Sequence, residues 1–287
     1  MEIGRLFPVL RSEVAKMTLH NILSHNSQNY DPEVKVFSST IQMMGSRLNV
    51  YCYFVDGMLI DTGPQRMEKE ISEFCLLHRP DKIIHTHYHE DHTGNTAYLT
   101  AKFQIPAYIH SESLHICQVK GEIPFYRRAF WGNRKEFPAE ALPNFVENEH
   151  SRWEVIHTPG HTSDHVVFLD EDKGRLFSGD LFLHDKTRIV RRHENIPRLM
   201  ESLALLLKKN FDTVYCAHAG VVNQGYRLIE RKLHYLEDLQ GQILTLTQKG
   251  LDAKAITRKL FPQRPMITYF SFGQFSAYHL VRSFIDD

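Results

Sequence analysis

The stretch from Ile83 to Asn95 reads Ile-Ile-His-Thr-His-Tyr-His-Glu-Asp-His-Thr-Gly-Asn, a short apolar run followed by four histidines and two acidic residues. Its apolar beginning predicts a strand over Lys82 to Thr86. Alternate residues of an extended segment share a face, so His87 and His89 can point the same way. The chain is then predicted to enter a helix.

Four side chains that bind metals follow this strand within six residues: His87, His89, Asp91 and His92. Three imidazoles and a carboxylate are too many ligands for one metal ion. They fit two adjacent ions, each completed by ligands from elsewhere in the chain. The stretch therefore predicts further ligands in other parts of the sequence.

Composition limits the classes of protein to consider. Among 287 residues, 34 Lys and Arg balance 34 Asp and Glu, which argues against a dedicated nucleic-acid-binding protein. No apolar run is long enough to cross a bilayer, and the first ten residues carry an early acid and no apolar core, so no secretory signal is predicted. The four cysteines form no Cys-x-x-Cys pair, which favours reduced thiols in a cytoplasmic protein over a sulfur-bound zinc.

Strand and helix patterns alternate through the first two thirds of the chain, with short hairpins among them. This predicts an α/β fold of two packed mixed sheets flanked by helices. We predict one domain over residues 1–222, with a mostly helical, lid-like insertion at about 111–148. A C-terminal helical extension over 223–287 is predicted to pack on it, with its last helix at Ser271 to Ile285. A turn is predicted at Gly45-Ser46.

Three residues later in the chain are candidates for the further ligands. His161 follows the predicted strand Trp153 to Thr158 in Thr-Pro-Gly-His-Thr. Asp180 follows a strand in Ser-Gly-Asp, and His218 follows what is predicted as the last strand, Thr213 to Ala217. Each lies on a loop just past a strand, where a sheet places functional groups.

These motifs, in this order, resemble those of the metallo-β-lactamase superfamily over roughly residues 35–225. The resemblance implies a four-layer αβ/βα sandwich. It also implies that His87, His89 and His161 bind one metal ion, and that Asp91, His92 and His218 bind a second. Asp180 would bridge both ions together with a hydroxide. Asp91 and Asp180 would be the catalytic carboxylates.

The resemblance implies two divalent cations, zinc first, with iron or manganese as alternatives. The bridging hydroxide would attack a carbonyl of a small-molecule substrate. Because Asp180 is present and no signal peptide is predicted, the chain resembles the branch of glyoxalase II, lactonases and related thioesterases. A thioester, lactone or ester substrate is therefore expected.

Two other functions stay open. One is a phosphodiesterase or ribonuclease of the same fold. The other is a regulatory binding protein with a vestigial hydrolase site, and the sequence is compatible with a homodimer. His165 is predicted either to orient another group or simply to begin a strand. Arg188, Arg191 and Arg192 could bind an anionic substrate or lie on the surface. The resemblance to glyoxalase II, which has basic residues in a C-terminal helical region that hold glutathione, draws attention to Arg227, Arg231 and Lys232, but these are predicted to lie on a solvated helix face.

Overall fold

The computed structural model describes residues 31–43, 46–148 and 151–285. Its strands, in chain order, are β1 Lys35–Met43, β2 Ser46–Val55, β3 Met58–Ile60, β4 Lys82–Ile84, β5 Ala107–Ile109, β6 Glu140–Ala141, β7 Phe145–Glu147, β8 Arg152–His157, β9 Val166–Asp170, β10 Arg175–Gly179, β11 Val190–Arg191, β12 Thr213–Cys216, β13 Gly220–Val222 and β14 Phe275–Ser276. The helices are α1 Glu68–His78, α2 Glu90–Thr93, α3 Thr96–Phe103, α4 Leu114–Cys117, α5 Phe125–Trp131, α6 Ile196–Leu206, α7 Gly225–Gln248, α8 Ala253–Leu260, α9 Met266–Phe270 and α10 Ala277–Arg282. Short 3-10 turns occupy Gln65–Met67 and Ser111–Ser113.

The strands form two six-stranded sheets and one small pair. The first sheet has the order β1-β2-β3-β4-β5-β6, and the second has the order β13-β12-β10-β9-β8-β7. Both sheets contain parallel and antiparallel neighbours. β11 pairs with β14 away from them.

The two sheets pack face to face through aromatic side chains. Tyr53 of β2 lies 5.4 Å from Phe177 of β10, measured between ring centres. Its hydroxyl donates to the carbonyl oxygen of Cys216 at 2.7 Å, which ties the first sheet to β12. Trp153 is fully buried in the same cluster. A sheet pair of this kind buries one apolar face of each sheet.

Helices cover the outer faces. Ile71 and Cys75 of α1 pack on the first sheet, and Leu203 of α6 and Leu236 of α7 pack on the second. Helix α6 begins where the side chain of Asn195 accepts the N–H of Arg198 at 3.0 Å, a typical N-cap. Helix, sheet, sheet and helix therefore form four layers, and the predicted αβ/βα sandwich is confirmed.

Some predicted elements are wrong. The segment 111–148 contains only short helices, and its residues 140–147 include β6 and β7, which lie at the edges of the two sheets. Thr213 to Ala217 is followed by another strand, β13. The helix predicted from Ser271 to Ile285 is broken, because Phe275 and Ser276 pair with β11 instead. A partner strand supplied by the fold overrides local helix preference.

The extension predicted at 223–287 shares the apolar cluster of the second sheet through Ile229 and Ile243. The division into a domain and an extension stays a prediction. Along the described residues, none of the helices combines the length and apolarity that a bilayer crossing requires. Residues 1–30 and Gly45, on which the signal and turn predictions rest, lie outside the described residues.

Candidate metal centre

Loops that follow four strands meet at one end of the sandwich. The chain leaves β4 and reaches His87 and His89, after which the single turn of α2 carries Asp91 and His92. His161 follows β8, Asp180 follows β10 and His218 follows β12. The structure brings all seven predicted side chains together at this end.

One group consists of three imidazoles. Nε2 of His87 lies 2.7 Å from Nδ1 of His89, and Nε2 of His161 lies 3.2 Å from the same nitrogen. All three rings are buried. Burial lowers the pKa of His87 and of His89 well below the usual value for histidine, with neighbouring positive charge acting in the same direction. Neutral imidazoles are the form that binds metal ions.

A second group contains Asp91, His92 and His218. Nε2 of His218 lies 3.6 Å from Oδ2 of Asp91. Asp180 lies between the two groups and turns a different oxygen to each. Its Oδ2 is 3.1 Å from Nε2 of His161, and its Oδ1 is 3.3 Å from Nε2 of His92 and 3.4 Å from Nε2 of His218. A bridging carboxylate requires this arrangement.

The donor atoms fit divalent cations. Nε2 of His92 and Oδ1 of Asp180 are buried and make no hydrogen bond within the described residues, whereas most buried polar atoms are paired. Imidazole nitrogen and carboxylate oxygen together suit zinc, iron and manganese. These residues could therefore hold metal ions, and their individual roles as ligands stay predictions.

The formal charges of the side chains at the centre also suit divalent cations. Five carboxylates lie in or against it, and two guanidinium groups contact them or the histidines: Asp61, Glu90, Asp91, Asp180 and Glu194 against Arg127 and Arg191. Although burial acts in the opposite direction, these carboxylates raise the pKa of three imidazoles, those of His92, His161 and His218, so protonated histidines offset negative charge in the chain without metal. Divalent cations would replace these protons, because metal ions bind the neutral imidazole.

Asp61, which was not among the predicted site residues, orients His92. Its Oδ2 lies 2.8 Å from Nδ1 of His92, and its Oδ1 accepts the backbone N–H of Thr86 at 2.9 Å. Because the carboxylate of Asp61 contacts Nδ1, the imidazole ring of His92 is fixed with its Nε2 directed toward Asp180. The only available signal was an acidic residue directly after the short buried strand β3.

His165 orients Asp180, which is one of the two roles predicted for it. Its Nε2 accepts the backbone N–H of Asp180 at 3.1 Å, and its Nδ1 lies 2.9 Å from the hydroxyl of Thr158. The ring is fully buried. The backbone that carries Asp180 is thereby fixed relative to the loop that carries His161.

Arg127 holds the acidic side of the centre. Its Nη2 donates to Oδ1 of Asp91 at 3.1 Å, and its Nε donates to Oε1 of Glu90. This guanidinium is buried and comes from α5, in the segment predicted as a lid. The aromatic and basic composition of that segment was the signal for it, although its contact with Asp91 was not predicted.

Arg191 lies against the group of three imidazoles. Its Nη1 is 3.0 Å from Nε2 of His89, and its Nη2 is 3.0 Å from Nε2 of His161. Glu194 approaches Nδ1 of His161 at 3.4 Å from the other side. Of the two readings left open for Arg191, the structure supports a place in the site over one on the solvated surface.

A residue without a side chain is needed directly before His161. Gly160 has φ +138, and an added Cβ would lie 2.5 Å from Cα of Leu199 in α6. We expect Gly160→Ala to push this loop off α6, to lower the free energy of unfolding by roughly 2 kcal/mol, and to displace His161. Urea unfolding and metal content of the purified variant measure both effects.

Gly241→Ala is the matched control, because an added Cβ there meets nothing within 4 Å. It lies within α7, where alanine favours the helix. The interpretation of Gly160 is wrong should Gly160→Ala, like Gly241→Ala, be no less stable to urea than the unmodified protein.

A cavity of about 930 Å³ opens onto the centre. Asp91, His161, Asp180 and His218 contribute to its floor. Aromatic side chains of α5 line another part, and the ring of Trp131 lies 6.0 Å from the ring of His218. The C-terminal segment also reaches it, through Ile267 and Phe275. A substrate of moderate size can thus contact the seven-residue centre.

Comparison with known proteins gives consistent results. A profile described as the metallo-beta-lactamase superfamily matches residues 45–218. A relative from Drosophila melanogaster, called beta-lactamase-like protein 2 homolog, is 25% identical over 224 residues, which is 72% of this chain and 71% of that protein. An atrochrysone carboxyl ACP thioesterase from Pseudocercospora fijiensis is 28% identical over 196 residues, covering 66% of this chain and 52% of that protein. The chain thus spans only about half the length of that thioesterase.

Among solved structures, a beta-lactamase domain protein from Burkholderia ambifaria superposes with a TM-score of 0.67 at 17% identity. The superposition covers 95% of this chain and 93% of the other. At this identity the likeness concerns the fold alone. It extends beyond the segment matched by the family profile and includes most of the C-terminal helices.

Proposed function

Because this chain belongs to the metallo-β-lactamase superfamily and is a hydrolase of that superfamily, we propose that it uses two divalent cations to hydrolyse a thioester, ester or lactone. The observation that carries the proposal is the position of Asp180, whose two carboxylate oxygens face two different groups of histidines. A one-metal site would not need a carboxylate shared in this way.

When bound, divalent cations supply Lewis acidity toward a carbonyl oxygen and lower the pKa of a coordinated water. The proposed ligands of one cation are His87, His89 and His161, and those of the other are Asp91, His92 and His218. Asp180 would span both. Asp61 and His165 would act through hydrogen bonds, by keeping His92 and Asp180 oriented.

The chain also prepares the site for substrate. The aromatic wall of α5, with Trp131 beside His218, would exclude water and position an apolar acyl group. The name of the fungal relative, an ACP thioesterase, supports a thioester or a related acyl compound. No serine or cysteine nucleophile is required, and the free thiols of Cys52 and Cys216 are buried and do not line the cavity.

Phosphodiester hydrolysis is the second candidate. Lys186 and Arg188 line the cavity, and cations at this place would favour an anionic substrate. The formal net charge of zero does not support a nucleic acid as the substrate. The carbonyl substrate remains the proposal because apolar side chains also form a large part of the cavity wall.

Metal quantification on the purified chain, followed by assays with matched substrates, tests the proposal. The panel contains thioesters, lactones, phosphodiesters and a chromogenic cephalosporin. Two metal ions per chain together with thioester, ester or lactone turnover would support it. Preferential cleavage of phosphodiesters would replace it with the second candidate.

Removal of metal is expected to abolish turnover and to lower the melting temperature. The physical reason is that cations held by the folded chain stabilise it, whereas without them the carboxylates of the centre are offset only by protonated histidines. Dialysis against a chelator, then addition of zinc, iron or manganese, measures loss and recovery by assay and calorimetry. Unchanged turnover in protein shown to be free of metal would disprove the proposed chemistry.

A further inference from the structure

Lys232 is a buried cation in the wall of the cavity. It lies on α7 and is 3% exposed, so the predicted solvated position is wrong for this residue. Its Nζ donates to the carbonyl oxygen of Leu181 at 2.7 Å and lies 5.9 Å from the ring centre of Phe182. Within residues 31–43, 46–148 and 151–285, Glu194 and Asp180 attract this ammonium through space, but no carboxylate forms an ion pair with it.

This environment does not explain why the residue is charged. An ammonium has three N–H donors, and the Leu181 carbonyl uses one of them. Burial lowers the pKa of Lys232 to about 8, so the amine still carries its proton at neutral pH. A neutral donor would satisfy the Leu181 carbonyl equally well, and no carboxylate contacts the ammonium within the described residues. Its other N–H groups are therefore available to a group that enters the cavity, and an anion makes the strongest hydrogen bonds with them.

The position of Lys232 relates this anion to the proposed reaction centre. Lys232 and Asp180 line the same cavity, and the carbonyl that Lys232 contacts belongs to Leu181, the residue after Asp180. An anionic group bound by Lys232 would belong to a molecule that also reaches the seven-residue centre.

The charges around Lys232 favour an anion as well. Lys186 and Arg188 line the cavity, whereas the nearby carboxylate of Asp185 is paired with Arg231 at 3.2 Å. Positive side chains in a cleft raise the local concentration of anions. The wall between these cations contains Phe182, Ile267 and Phe275, which accommodate an apolar group.

From these contacts we propose that the cavity binds a substrate that joins an apolar acyl part to a carboxylate or phosphate, and that Lys232 binds the anionic group. This assignment rests on the proposed hydrolase function and names the substrate class for that site. The anion can be attached either to the acyl side or to the leaving group of the substrate.

Two matched sets of substrates distinguish these sources. On the acyl side, mono-p-nitrophenyl succinate, adipate and suberate are compared with p-nitrophenyl butyrate, hexanoate and octanoate. On the leaving-group side, octanoyl coenzyme A is compared with octanoyl N-acetylcysteamine. The readout is the ratio of kcat/KM for the anionic substrate to that for its neutral counterpart, measured with the metal-loaded full chain.

We expect the unmodified protein to prefer the anionic member of at least one set, and Lys232→Met to reduce that ratio roughly tenfold or more. Lys232→Arg should retain most of the preference, which would exclude a general folding defect as the cause. Arg227→Met, on the exposed face of the same helix and outside the cavity, is the control and should keep the ratio unchanged.

A ratio that Lys232→Met leaves unchanged in both sets would overturn the assignment while the hydrolase proposal stands. Should the unmodified protein hydrolyse neither these substrates nor any thioester, ester or lactone of the wider panel, the proposed function fails, and calorimetric binding of suberate then decides about Lys232. Binding at least about tenfold weaker in Lys232→Met supports the anion site. Equal or undetectable binding to both proteins overturns it.

Discussion

Asp180→Asn is expected to reduce kcat/KM on the order of 10³-fold and to remove at least one metal ion from the purified protein. Asp180 contacts both groups of histidines, with Oδ2 at 3.1 Å from His161 and Oδ1 at 3.3 Å from His92. Asparagine keeps the size of the side chain but replaces one oxygen with an NH₂ group, which cannot bind a cation. It also removes the negative charge that two close dications require.

The measurement combines steady-state kinetics with elemental analysis of the same sample. Asp185→Asn is the matched control, since Asp185 also lines the cavity but is partly exposed and paired with Arg231. We expect this control to retain its metal. Asp180→Asn with full metal content and full turnover would show that Asp180 does not bridge. The same substitution distinguishes the two classes of function. An enzyme would lose turnover, whereas a regulatory binding protein would still bind its partner.

Arg127→Ala is expected to lower the free energy of unfolding by roughly 3–5 kcal/mol. The guanidinium of Arg127 is buried between the carboxylates of Glu90 and Asp91, and alanine would leave both without their cation. Breaking a buried ion pair costs more than the pair contributes, because the remaining charge stays out of water. Denaturant unfolding of the metal-loaded protein measures the change.

Arg128→Ala provides the control, because Arg128 is the next residue of α5, lies 5.9 Å from the Phe125 ring centre, and is exposed. Its substitution should change the free energy of unfolding by less than about 0.5 kcal/mol. Equal effects of the two substitutions would refute the role given to Arg127. A second consequence is specific to Arg127, since Asp91 loses a fixed orientation and metal affinity should fall as well.

Local sequence was sufficient for the scaffold of the site. The strand before His87 was predicted from its apolar residues as Lys82 to Thr86, and the structure has a strand at Lys82–Ile84. Strand ends depend on short runs of neighbouring residues and on Pro and Gly, such as the pair before His161. The order of motifs then allowed a resemblance that extends to the four-layer fold.

The supporting contacts could not be predicted in the same way. Asp61 and His92 are 31 residues apart, Arg127 and Asp91 are 36 apart, and Lys232 and Leu181 are 51 apart. None of these pairs follows a period of a helix or strand. The burial of Lys232 depends on what packs over α7, and the end of the chain changes from helix to strand at Phe275 because β11 is present to pair with it.

The amino-acid sequence by itself determined which side chains stand at the ends of strands, and therefore which seven residues were candidates for metal binding. Only the tertiary structure decided how Asp180 divides its two oxygens between His161 and His92, and which buried charges lie without a partner. The physical reason is the separation along the chain over which each interaction acts. Strand and turn preferences act between neighbours along the chain, whereas carboxylate orientation, burial and charge compensation depend on atoms that only folding brings within a few ångströms.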